Sequence, residues 1–302
     1  MAREHLRAFG AIPYVSLTGI HSRTRSKAEQ LAAEFDVLTV CDSIAELHES
    51  SQADLVVVAI SETAVESVGL ECFEYPWAVL LEKPPGLNVA EAERINSAAN
   101  DRDRMALVAL NRRFLSSTMT VLAGLESLEG PRHIRVQDQE DQAQAKTIGH
   151  PPAVIDNWMY ANSIHLIDYF SLFGRGNITR VSPVLCWDPD EPRLVAAAIE
   201  FDSGDTGLYE AVWNAPGPWS VSVTTSEKRW ELKPLEIASF QLAGQRQSVS
   251  VPMHQRDEDF KPGFKLQAES AVAAAMGEPS NCPTLADGLK TMRLIQSIYA
   301  SS

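Results

Sequence analysis

Cysteine is scarce in this sequence of 302 residues: Cys41, Cys72, Cys186 and Cys282 lie far apart, with no C-x-x-C pair. That spacing indicates neither a zinc site nor a disulfide framework, and no metal is expected. Long apolar runs are missing as well; the longest, Leu55 to Ile60, is far short of a membrane span, so no membrane partner is expected. Basic residues are in deficit, with 26 Lys and Arg against 40 Asp and Glu and a formal net charge of −14. Nucleic acid needs a basic face to meet its phosphates, so it is excluded as a partner, and the charge favours solubility instead. No secretory signal is read at the start, which makes a reducing cytoplasm the expected location and Asn177-Ile178-Thr179 a chance match to a glycosylation acceptor. Internal repeats and low-complexity stretches are absent. So is a G-x-G-x-x-G turn; Gly174-Arg175-Gly176 follows a helix, and Gly174 reads as its C-cap.

What is present reads as globular, at 45% hydrophobic and 22% charged residues, in a chain long enough for two domains. Residues 1–114 alternate strand and helix. Helices are expected over residues 3–9, Ser26 to Phe35 and Ile44 to His48, and strands over Val15 to Ile20, Leu38 to Val40, Asp54 to Ile60, Trp77 to Leu81 and Ala106 to Leu110. This order specifies a Rossmann-like, doubly wound parallel sheet, an α/β fold. Residues 115–302 change character. A helix (Ser117 to Leu128), a strand (His133 to Gln137), a polar proline-marked segment and a helix (Asn157 to Phe173) precede alternating strands at Leu194 to Phe201, Thr206 to Trp213, Ser220 to Thr225, Arg229 to Leu232 and Ser248 to Val251. These predict an α+β domain with an open, mainly antiparallel sheet covered by helices on one face, closed by helices at Phe264 to Met276 and Thr284 to Tyr299.

The stretch Trp77 to Ile95 carries the first chemical signal. The apolar run Val79-Leu80-Leu81 ends on Glu82-Lys83, and Pro84-Pro85 stop the strand. Ligands of open parallel sheets bind at the carboxyl ends of strands, which aims Lys83 into that crevice. Asn88 can cap the next helix, with Glu91 as its capping-box partner. After the Val15 to Ile20 strand an acid would hold the ribose 2′-hydroxyl of NAD. Here Ser22 and Arg23 occur instead, residues suited to the 2′-phosphate of NADP, so NADP is slightly favoured over NAD. A second cluster lies at Trp158 to Asp168, where helical spacing puts Asn162, His165 and Asp168 on one face. Histidine suits acid or base work near neutral pH. Trp158 reads either as a stacking surface for a ligand or as a core aromatic at a domain junction.

A strand ending in Glu82-Lys83-Pro84, followed by a helix with His165-x-x-Asp168, resembles the glucose-fructose oxidoreductase, inositol dehydrogenase and rhizopine-catabolism family, Gfo/Idh/MocA. The resemblance runs the length of the chain. It implies an NAD(P)-dependent oxidoreductase acting on a secondary alcohol or carbonyl of a sugar, sugar derivative or polyol. Lys83 would then be catalytic and cofactor-binding, beside Glu82, with Ser61 and Glu62 lining the nicotinamide ribose. His165 would be acid or base at the substrate hydroxyl, aided by Asn162 and Asp168. Asn111, Arg113, Trp158 and Tyr160 would face a small sugar-like substrate, although Arg112 and Arg113 suit pairing with acids equally well. The resemblance further implies a homodimer or homotetramer. Two departures stand out. Position 161, four before His165, is alanine where the family carries an aspartate, so that either Asn162 or Tyr160 orients the ring, or proton transfer is weakened, or the substrate is unusual. The first strand and its glycine turn are missing ahead of Ala2 to Arg7, which resembles the helix after that turn. The expectation is that upstream codons encode them; the alternatives are a non-catalytic relative that binds sugar or forms oligomers, and a reductase of another small carbonyl compound.

Overall fold

The structure, a computed structural model, describes residues 1–300. The chain opens as α1 (Ala2–Gly10), β1 (Gly19–His21), α2 (Arg25–Phe35), β2 (Thr39–Cys41), α3 (Ile44–Ser51), β3 (Leu55–Val58), α4 (Val65–Cys72), β4 (Ala78–Glu82), α5 (Val89–Asp101) and β5 (Ala106–Ala109). It continues as α6 (Ser116–Glu126), β6 (His133–Glu140), α7 (Gln142–Thr147), α8 (Pro152–Asp156), a π-helical turn (Met159–Ser163) and α9 (Ile164–Phe173). Strands β7 (Ile178–Leu185), β8 (Leu194–Phe201), β9 (Thr206–Trp213), β10 (Ser220–Thr224), β11 (Lys228–Leu232), β12 (Ala238–Leu242) and β13 (Val249–Val251) follow, then α10 (Gln255–Asp259), α11 (Phe264–Ala275) and α12 (Leu285–Ile298). Among the described residues no helix is long and apolar enough to cross a membrane.

Two compact units divide these elements. The first holds Met1–Gly86, Ala90–Asn111 and Arg256–Gly288. Its strands are parallel but form two sheets, β1-β2 and β3-β4-β5. In the doubly wound order 3-2-1-4-5-6 a first strand lies beside the second and the fourth, and the interruption between β1 and β3 falls at that position. It also explains why β1 starts at Gly19 and not at the expected Val15. A strand with a neighbour on one side alone has a single ladder to hold it extended, and the Val15 amide turns back to Ile12 O at 3.0 Å. β4, by contrast, is buried at every residue, as its continuous apolar run predicts.

The segment Arg256–Gly288, expected in the second domain, packs in the first unit because β5 and α1 offer it partners. The Val108 amide donates to Pro283 O at 2.8 Å. Gly288 lies so near β5 that a Cβ there would meet Val108 Cγ2 at 3.0 Å. Phe264 of α11 packs its ring 5.0 Å from that of His5 on α1.

The second unit is built on one eight-stranded sheet in the order β13-β12-β11-β10-β6-β9-β8-β7, antiparallel throughout except for the β6–β9 pair. α9 packs Leu166, Ile167, Phe170 and Phe173 into its core. Four features differ from expectation. β6 runs on to Glu140, past Gln137. The polar segment folds into α7 and α8, with Asp141 capping α7 through the Gln144 amide. β7 and β12 are additional strands. The single helix expected over residues 157–173 is a π-helical turn followed by α9.

Candidate active site

Within the first unit the expected cofactor residues follow the carboxyl ends of β1, β3 and β4, the ends at which parallel sheets bind ligands. Ser22 is half-buried and Arg23 exposed, just beyond β1. The Ser22 hydroxyl accepts the Thr24 amide at 3.2 Å, and Arg25 pairs with Glu29 and Asp42. Past β3, Ser61 and Glu62 are half-buried, and the Ser61 and Thr63 hydroxyls lie 3.1 Å apart.

β4 ends on Glu82, whose carboxylate is turned inward. Oε1 lies 2.7 Å from His5 Nε2, and Oε2 accepts the Lys83 amide at 3.2 Å. Burial alone would lift the Glu82 pKa; the hydrogen bond and charge of His5, with the charge and amide of Lys83, outweigh it and hold the carboxyl below its ordinary range. Lys83 follows, half-buried. Gly86 then turns the chain at φ +154, where a Cβ would sit 2.7 Å from Ala92 N. At the end of β5, Asn111 is buried and its amide donates to Pro262 O at 3.1 Å.

In the second unit the His165 segment is anchored from the sheet. Glu140, the last residue of β6, accepts Asn162 Nδ2 on Oε2 at 2.9 Å and Ser163 Oγ on Oε1 at 2.7 Å. Asn162 thus belongs to the π-helical turn, whereas His165 and Asp168 lie on α9. The His165 imidazole is half-buried and meets the Trp219 ring edge-on at 6.3 Å. The Arg112 guanidinium lies 5.4 Å above Trp219.

Asp168 is buried and takes a fork from Arg113, Nε to Oδ2 and Nη2 to Oδ1, each at 2.7 Å, together with Thr291 Oγ1 at 2.8 Å. Two residues expected in separate roles are therefore bound to one another, and Arg112 pairs with Glu236 at 2.6 Å. Trp158 meets His150 edge-on at 5.2 Å, and burial pushes the Tyr160 phenol up. Ala161 is buried. The acids Asp138 and Glu140 were not anticipated. Their signal was the alternation Ile134, Val136, Asp138, Glu140, which puts two carboxyls in phase with the apolar face of β6.

A parallel sheet with its polar residues at strand ends, followed by a large open sheet, defines a two-part α/β protein of the dinucleotide-binding class. Residues 1–110 match the family described as "Oxidoreductase family, NAD-binding Rossmann fold". Residues 1–110 are thus similar by sequence to the Gfo/Idh/MocA family, and nearly the whole chain shares its fold with solved structures. A comparison with curated proteins finds no match. Among solved structures, a dehydrogenase from Chromobacterium violaceum is similar at a TM-score of 0.84 and 20% identity, covering 99% of this chain and 91% of the other. The UDP-N-acetylglucosamine 3-dehydrogenase GnnA from Acidithiobacillus ferrooxidans is similar at 0.77 and 16%, covering 98% and 92%. A levoglucosan dehydrogenase in complex with NADH and levoglucosan is similar at 0.77 and 16%, covering 99% and 93%.

Proposed function

We propose that the protein is an NAD(P)-dependent oxidoreductase acting on a secondary alcohol or carbonyl of a sugar, sugar derivative or polyol. The observation that carries the reading is Lys83, at the carboxyl end of the fully buried strand β4, in a fold shared with a dehydrogenase that binds NADH and a sugar. Ser22, Arg23, Ser61, Glu62 and Lys83 fit a dinucleotide, because all five are exposed or half-buried at strand ends. The sequence supplies no glycine turn for the pyrophosphate. Arg23 is exposed, with a fork of donors suited to a 2′-phosphate, and this supports NADP over NAD. A bound nicotinamide would supply the hydride chemistry.

The chain's own residues then handle protons and orientation. Lys83 polarises the reacting oxygen, and His165 exchanges its proton. Asn162 and Tyr160 border the histidine, and Trp158 offers the sugar a ring face. Asp168 and Arg113, locked together, hold α9 in register, while Glu82 fixes the backbone before Lys83. Replacing Lys83 by methionine should lower turnover by about 100-fold or more, the scale of acid–base contributions, with the fold intact by circular dichroism. Equal turnover of variant and parent would remove Lys83 from the mechanism. Fluorescence titration with NADPH and NADH tests the cofactor: Arg23→Ala should weaken NADPH selectively, and failure of either nucleotide to bind would leave a non-catalytic sugar-binding relative as the better account.

A further inference from the structure

β6 lies in the middle of the eight-stranded sheet, between β10 and β9, and its last two inward positions are Asp138 and Glu140. They are 1% and 0% exposed, and among the described residues no cationic side chain pairs with either. Each hydrogen-bond donor to them among the described residues is neutral. Asp138 accepts Trp219 Nε1 at 2.5 Å and the Gln139 amide at 2.9 Å on Oδ1, and Tyr209 OH at 2.9 Å on Oδ2. Tyr209 OH lies 2.9 Å from Tyr299 OH. Glu140 holds Asn162 and Ser163, and the two carboxyls interact electrostatically.

Two carboxylates so placed cannot both ionise. Burial pushes both upward, and Glu140 rises well above the ordinary range because Asp138 adds its charge to the burial. The direction of both shifts favours a proton shared by the pair and carried by Glu140, whose hydroxyl then donates to Asp138. That assignment uses every lone pair and proton consistently: Asp138 only accepts, while Glu140 donates once and accepts from the turn.

Both acids reach the surroundings of His165. Glu140 grips Asn162 and Ser163, the third and second residues before it, and Asp138 grips the indole whose ring faces it. Position 161 is alanine and brings no acid from the helix itself. We propose that Asp138 and Glu140 act together as the positioning groups of His165, a buried carboxyl pair on the sheet that fixes the ring's backbone and its aromatic wall. The idea rests on the role given to His165 under Proposed function. The charged and titratable groups around the pair and this wall are Tyr209 from β9, Tyr299 just past α12 and Arg112 above Trp219.

The test is a proton–carbon NMR titration of histidine-labelled full-length protein, with the His165 signal identified by its loss in His165→Gln. Glu140→Gln keeps a donor to Asp138 and one acceptor, so the His165 midpoint should stay within about 0.2 pH units of the parent. Asp138→Asn removes the charge and points amide hydrogens at the indole and phenol donors; the midpoint should fall by about half a unit or more. Trp219→Phe keeps the ring but cuts the link to Asp138, and should also displace the midpoint should Asp138→Asn fail to fold. A His165 titration unmoved in folded Asp138→Asn, or in Trp219→Phe, would overturn the proposal, as would equal shifts in Glu140→Gln and Asp138→Asn. The readout needs no substrate. Full turnover in His165→Gln would instead defeat the functional reading and leave the pair's effect on the ring standing.

Discussion

At Cys72 burial pushes the thiol up to about 12, with Glu71 adding to the effect, and Cys41 is raised by burial as well. Thiolate is the reactive form, so both are inert while folded. Cys282 is buried too, which leaves Cys186 exposed. Ellman's reagent should therefore titrate one thiol rapidly in the native protein and four after denaturation; fast labelling of two or more would contradict the burial at Cys41, Cys72 or Cys282. The same reasoning sets the behaviour of Glu82 in acid. Its folded pKa lies below the unfolded value of about 4.3. It therefore contributes stability that is present above that value and lost as pH falls through the folded pKa. Glu82→Gln should be less stable than the parent at pH 7, and the gap should narrow below about pH 4. Urea melts across this range check the sign, and a gap that widens in acid would show that His5 does not hold the carboxylate.

Among the elements, α11 carries a cost. Gln267 is 0% exposed, and among the described residues neither atom of its amide has a hydrogen-bond partner. A buried amide left without partners costs about 1–3 kcal/mol, and an apolar side chain of similar size avoids that cost. Gln267→Leu should stabilise the protein by about 1 kcal/mol or more in urea melts, and a destabilisation would mean that the amide has a polar role in α11's packing. The strands divide by the same local logic. β4 and β5 were legible because a strand covered on both faces needs an unbroken apolar run, and residues 78–81 and 106–109 supply one. β7 was not legible: it lies at the sheet edge, contains Pro183 and exposes Val184 and Leu185, so its pattern resembles a loop. The turn at Met159–Ser163 defeated helical periodicity because a π turn shifts the faces of the helix that follows. At the candidate site Lys83 and His165 could be proposed from motif and position. Glu140 could not, because its inclusion required β6 to continue past Gln137, and two acids argue against extending a buried strand until their donors are known.

Over the whole molecule the two units differ in how their sheets are completed. The second unit has eight strands in one sheet, with β6, β9 and β10 in its interior. The first has strands of three to five residues in two separate sheets, so β1 and β3 each have one unpaired edge within the unit. Residues 55–57 are only half-buried, whereas β4 is buried throughout. Local opening requires few contacts to be broken where a ladder has one side. Hydrogen exchange should therefore show the amides of β1 and β3 exchanging about 10-fold or more faster than those of β4, β6 and β9, a difference of about 1.4 kcal/mol in opening free energy. The contrast is sharpest within the first unit, since β3 and β4 share a ladder and differ in what lies on the other side. Added NADPH should slow β3 if Ser61 and Glu62 hold the cofactor, because a ligand bound to the closed form lowers the population of every open one. Equal protection of β3 and β4 without ligand would mean that the edge of β3 is covered in solution and that the sheet is whole at the position where it is interrupted here.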